Sequence, residues 1–146
     1  MPVLVRLLTA SIVLAGMGGD NILKILLDHP EKLKHVQTII VDAHTNTPKL
    51  RKEISDMGFV IADEKMIEED HIYYEIIKFI RSDVAFYTDQ DIEFGPILRK
   101  EQSSLFKQKY EERIKEIEYL LSNKSLPENK INVLCEEKNK ILNVIQ

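Results

Sequence analysis

Residues 11–15 (SIVLA) run straight into Gly16-Met17-Gly18-Gly19, and a helical pattern begins at once beyond the glycines. A short β-branched apolar run that stops at a glycine turn reads as a strand buried on both faces. The helix after it has Ile22, Leu23, Ile25, Leu26 and Leu27 for an apolar face, with Asp20 or Asn21 placed to cap it. Strand, turn and helix in that order are the opening of an α/β sheet. A membrane anchor is not expected from the same stretch. From Arg6 to the glycines there are only nine residues, 7–15, short of the roughly 20 that span a bilayer. No A-x-A cleavage site follows either, so a secretory leader is not expected and a cytoplasmic protein is.

The rest of the chain fills in that sheet. Pro30 interrupts the first helix, and residues 37–41 (QTIIV) form a second buried strand with Asp42-Ala43-His44-Thr45-Asn46 as its C-terminal loop. Residues 48–57 read as a helix, with Thr47 as N-cap, Pro48 at its first position and Gly58 just past its end. Residues 59–61 and 73–80 are strand-like and antiparallel, with acidic Glu68-Glu69-Asp70 as a solvated turn between them. The order predicts an α/β sheet with an antiparallel edge. From Ile97 the period becomes helical. Phe106, Tyr110, Ile114, Ile117 and Leu121 share one face; after a break at Ser125-Leu126-Pro127, so do Ile131, Leu134, Ile141 and Ile145, interrupted once by Lys138. Two amphipathic helices across a Pro-containing turn predict an antiparallel, coiled-coil-like hairpin.

Charge divides at the same place. Residues 1–95 hold 10 Lys+Arg and 16 Asp+Glu, and residues 96–146 hold 10 and 8. Two units are therefore expected, 1–95 and 96–146. The overall formal charge of −4 excludes a bulk polycation that binds nucleic acid by charge alone. A single cysteine, Cys135, excludes a disulfide framework and a cysteine zinc cage. His29, His35 and His71 lack metal-ligand spacing, and Ser103 and Ser104 have no base partner, so neither a metal site nor a serine hydrolase is expected.

The glycine turn and the loop at Asp42 are the candidate site. Glycine permits positive φ and close backbone approach, and a helix N-terminus offers N–H groups to an anion. The string G-M-G-G-D-N falls short of G-x-G-x-x-G because Asn21 takes the third glycine position. Asp42 lies 26 residues past Gly16, where a ribose-binding acid would stand. From the residues alone, a Rossmann-like nucleotide-binding domain using Gly16, Gly18 and Asp42, and a tight turn with no ligand, both remain open. His44 ends a strand where α/β proteins place ligands; Arg51, on the next helix, either meets phosphate or pairs with a nearby carboxylate.

The longer string decides more. SIVLAGMGGDNILKIL, VQTIIVDAHTNTPKLRKEI, GFVIADEKMIEEDHIYYEIIKF and FGPIL occur in this order over residues 11 to about 121 together with the helical stretch. This resembles the bacterial tRNA (adenine-N1)-methyltransferase family that modifies position 22 of tRNA. Its members carry a strand ending A-G-M-G-G, a strand ending Q-P-N, an L-R helix, a strand with a following glutamate, a Y-E-I strand, an F-G-P turn and a long helical hairpin.

The resemblance implies a partial class I methyltransferase (Rossmann-like) sheet with a C-terminal antiparallel helical hairpin. The reaction it implies moves a methyl group from S-adenosyl-L-methionine to adenine N1 of tRNA. Gly16, Met17, Gly18 and Gly19 would then lie beside the methionine part of the cofactor rather than cradle a pyrophosphate. Asp42 and His44 become the catalytic candidates, with Asp42 accepting from the exocyclic amine. Arg51, Lys100, Lys107, Lys109 and Arg113 become candidate tRNA contacts, although Glu111, Glu112, Glu116 and Glu118 are interleaved with them.

Two features depart from the family pattern. The cofactor-binding half would precede residue 10, and ten residues cannot supply three strands. Asp42-Ala43-His44 also stands where the family has Gln-Pro-Asn, adding a negative charge. The expectation is therefore a chain that binds S-adenosyl-L-methionine weakly or not at all by itself. It would self-associate through an open sheet edge, or be completed by an N-terminal half supplied as a separate chain. The alternative outside enzymology is a module that binds tRNA or a partner through the hairpin.

Overall fold

The computed structural model describes residues 10–83 and 85–146. They fall into two compact units that divide between Leu98 and Arg99. The first is built from β1 (Ser11–Leu14), α1 (Gly19–Asp28), α2 (Pro30–Leu33), β2 (Thr38–Ala43), α3 (Thr47–Asp56), β3 (Phe59–Glu69), β4 (Ile72–Arg81) and α4 (Asp89–Phe94). A short helix, α5 (Leu98–Glu101), follows. The second unit is the pair α6 (Ser104–Leu121) and α7 (Glu128–Val144).

The sheet has four strands in the order β1-β2-β4-β3. β1 and β2 are parallel, Ser11 opposite Thr38 and Leu14 opposite Val41. Their connection runs through α1 and α2, as a parallel pair requires a crossover. β4 lies antiparallel between β2 and β3. Alternation along the strands sends Ile39, Val41, Ala43, Ile77 and Phe79 to one face, where they pack with Ile22, Leu23 and Leu26 of α1 and Leu50 and Ile54 of α3. Arg81 pins the crossover to the sheet. Its Nε donates to the Val36 carbonyl at 2.9 Å, its Nη2 to that of Leu33, and its guanidinium lies 4.5 Å from the Phe59 ring centre.

Two strands differ from the sequence expectation. β1 is not buried on both faces: among the described residues it pairs with β2 alone, and Val13 is 65% exposed. β3 runs to Glu69 rather than ending near Ile61, with a bulge between Ile61 and Asp63. Asp63-Glu64-Lys65 reads as loop in sequence, yet Glu64 points inward. The turn is then Asp70-His71 alone, both at positive φ (52° and 63°), the two-residue geometry that matches strand twist. Thr47 opens α3 with Asn46 as N-cap, so the cap lies one residue earlier than expected.

In the second unit Ser103 caps α6, accepting from the Phe106 amide at 3.2 Å. Phe106 and Tyr110 meet edge to face at 4.8 Å, and Ile117, Ile141 and Val144 are buried. Lys138 breaks the apolar rhythm because it reaches Glu118 on the other helix at 3.0 Å. Gln102 fastens the unit's ends: its Nε2 donates to the Val144 carbonyl at 2.8 Å, and its Oε1 accepts from the Gln146 amide at 3.1 Å. No helix among the described residues is long and apolar enough to cross a membrane.

Ile117 is fully buried on α6. Replacing it by Asp puts an unpaired carboxylate there and should cost about 3 kcal/mol or more. Loss of helical circular dichroism on mild heating is the expected result; an unchanged melt would show that α6 packs through another face.

Candidate functional site

The loops after β1 and β2 leave the carboxyl ends of two adjacent parallel strands, the place where α/β sheets bind ligands. They are fastened to each other. The Gly19 amide donates to Thr45 Oγ1 at 3.3 Å. Asp20 accepts from Asn46 Nδ2 at 2.7 Å and lies 3.3 Å from Lys49 Nζ. A Cβ on Gly19 would stand 2.5 Å from the Thr45 carbonyl oxygen, and one on Gly18 would stand 3.0 Å from Thr45 Oγ1. These two glycines are therefore small because the second loop rests on them. Thr45 and Asn46 fill the space that side chains at positions 18 and 19 would take. Gly16 is different: it sits at φ 74° with nothing within 4 Å of where a Cβ would be. Met17 is half-buried against the core.

Asp42 is the last residue but one of β2, opposite Ile76. Its Oδ1 is buried without a hydrogen-bond partner among the described residues. His44 is exposed and meets Tyr74 edge to face, ring centres 5.4 Å apart. Among the described residues, no group of three or more His, Cys, Asp or Glu side chains is placed to hold a metal ion.

Arg51 is a correction. As a tRNA contact it would need exposure, and it has none. Its Nε donates to Glu64 at 2.8 Å, its Nη2 to Glu75 at 2.5 Å and its Nη1 to the Ile92 carbonyl at 3.1 Å. Burial alone works to lower its pKa; the attraction of Glu75 and Glu64 outweighs that and leaves it raised. Glu64 Oε2 takes two further donors, the amides of Ile97 at 2.9 Å and Leu98 at 3.2 Å. Gly95 lies against this cluster at φ 87°, where a Cβ would come within 2.6 Å of Glu64 and 2.7 Å of Arg51.

The hairpin cations are unevenly committed. Arg113 donates to Glu137 at 2.7 and 3.0 Å and to Glu116 at 2.6 Å. The Glu137 hydrogen bonds, more than those to Glu116, raise its pKa against the opposing effect of burial. Lys109 lies 5.1 Å from the Tyr110 ring centre. Lys107 is half-buried and Lys100 exposed.

Residues 5–146 match the model of TrmK, tRNA (adenine(22)-N(1))-methyltransferase. The chain belongs to this family. It is 27% identical over 115 residues to the tRNA (adenine(22)-N(1))-methyltransferase of Bacillus subtilis, covering 71% of this chain and 46% of that protein. Among solved structures it resembles Streptococcus pneumoniae Sp1610, a candidate tRNA (m1A22) methyltransferase, at 31% identity and a TM-score of 0.86, over 95% of this chain and 63% of that one. A structure of Sp1610 in complex with S-adenosyl-L-methionine is similar at 30% identity and a TM-score of 0.82. The first unit is accordingly a Rossmann-like methyltransferase sheet. The chain spans about half the length of the curated relatives it matches.

The family strings acquire a physical meaning. Leu50-Arg51, the glutamate after β3's apolar start, Tyr74-Glu75-Ile76 and Phe94-Gly95-Pro96 all deliver a residue to the Arg51 cluster. Thr45 was not singled out from the sequence, where nothing distinguishes it from other loop threonines. Glu64 carried one signal, the family's glutamate after the third strand.

Removing one partner of a buried ion cluster leaves an uncompensated charge. Arg51→Met should therefore cost about 3–5 kcal/mol in urea unfolding. Adding Glu64→Gln and Glu75→Gln to that variant should recover part of the loss. Additive losses in the triple variant would show that the three groups do not act as a cluster.

Proposed function

We propose that this chain carries the target-base side of a tRNA adenine-N1 methyltransferase. The observation that supports the reading most is the pair of fastened loops at the carboxyl ends of β1 and β2, in a chain of the TrmK family. S-adenosyl-L-methionine is the methyl donor in this reading and supplies an electrophilic methyl group when bound. Gly16 fits its approach, because the space beside its Cα is open. Met17, Gly18 and Gly19 keep that turn in place against the core and against Thr45.

The chain's own part is orientation and charge. Adenine N1 must be held in line with the methyl group, and fixing that geometry removes much of the entropic barrier. Asp42 accepts from the exocyclic amine; its buried, unpartnered Oδ1 marks an acceptor that still needs a donor. Its charge also offsets the positive charge that N1 gains on methylation. His44 stands beside it at the rim. The base must leave its stack to reach this point.

Of the candidate tRNA contacts, exposed Lys100 on α5 and half-buried Lys107 on α6 are the ones offered to phosphate, with Lys109 and Arg113 engaged as described. The place of action is the cytoplasm, where tRNA is modified. The edge of β1 left unpaired among the described residues, with Val13 exposed, takes a complementing α/β segment or a second copy of the chain.

The test pairs calorimetry with S-adenosyl-L-methionine and a tritiated-methyl transfer assay on tRNA. It is run on the chain alone and after adding, as a separate chain, the portion of the pneumococcal relative that this chain does not match. Weak or no binding alone, with methyl transfer on addition that Asp42→Ala abolishes, is the expected result. No transfer under either condition would overturn the methyltransferase reading.

A further inference from the structure

The antiparallel register pairs Ala43 with Glu75, so His44 and Tyr74 face each other one step beyond the ladder. Their rings meet edge to face at 5.4 Å and 64°. Neither ring belongs to the hydrophobic cluster under α1 and α3. His44 is exposed and Tyr74 half-buried. This aromatic pair therefore stands at the ligand-binding end of the sheet without serving the core. Edge-to-face contact orders two rings and leaves π surface for a third. Aromatic side chains held in this way stack with unpaired bases, and larger ring systems stack better.

We propose that Tyr74 and His44 form the stacking platform for the purine drawn out of the tRNA. This rests on the methyltransferase reading and adds to it the group that holds the plane of the base. Tyr74 supplies the face, and His44, braced against it, sets the tilt. Asp42, two residues before His44 on the same side of β2, lies next to the platform.

The experiment is an NMR titration of the chain with adenosine monophosphate, and with uridine monophosphate as the phosphate-matched control. Saturable upfield ring-current shifts of the Tyr74 and His44 ring signals are expected, at least fivefold weaker in affinity for the uridine nucleotide. Tyr74→Leu should weaken adenosine monophosphate binding at least fivefold, whereas Tyr74→Phe stays within twofold. No saturable shift at these rings, or unchanged affinity in a folded Tyr74→Leu protein, overturns the platform. If Tyr74→Leu does not fold, the wild-type shifts and Tyr74→Phe decide. The readout needs no cofactor. Ring shifts without methyl transfer in the complemented assay would sink the enzyme and leave the platform; transfer without ring shifts would do the reverse.

Discussion

A guanidinium with no access to water joins three stretches of the α/β unit. Arg51 comes from the helix after β2, Glu64 from β3 and Glu75 from β4. The second oxygen of Glu64 carries the order onward to the amides of Ile97 and Leu98. Two carboxylates face one arginine, and backbone donors make up part of the difference. In such surroundings each charge is tolerable only while its partners are present. Helix, strands and turn are mutually dependent for that reason, and Gly95 is a glycine because the cluster fills the space where a side chain would be.

This changes what the family resemblance means. The strings L-R, Y-E-I and F-G-P look like chemistry, since they contain arginine, tyrosine and glutamate. Their charged members are spent on holding the fold. In the proposed function the burden falls instead on the ends of the strands, where Gly18 and Gly19 let Thr45 and Asn46 come close. The fastening holds the glycine turn and the Asp42 loop at a fixed separation before any ligand arrives, which is the preorganisation a transfer between two bound groups requires.

Much of the scaffold was legible in the sequence. The strand into the glycine turn, the parallel second strand, the proline-started helix and the helical hairpin follow from periodicity and breakers, which are local signals. What failed was non-local. Arg51 was open between a phosphate contact and a carboxylate pair, and its carboxylates lie 13 and 24 residues away, where spacing cannot identify them. The length of β3 was hidden for the same reason, since an inward glutamate breaks the apolar alternation unless its arginine is known. β1 was read as buried because its residues are β-branched and apolar, a pattern that also fits a strand at an edge. Asp42 and His44 could be singled out as candidates by their place at the end of a strand. The contact of His44 with Tyr74 depends on a register that only the fold sets.

The most direct measurement is backbone amide hydrogen exchange at Ile97 and Leu98. Ile97 lies in the turn after α4 and Leu98 opens α5, and both amides donate to Glu64. If the Arg51 cluster holds the unit together, both should exchange as slowly as the core amide of Ile77 in β4 and open only with global unfolding. Exchange at the rate of an ordinary surface turn would contradict that account.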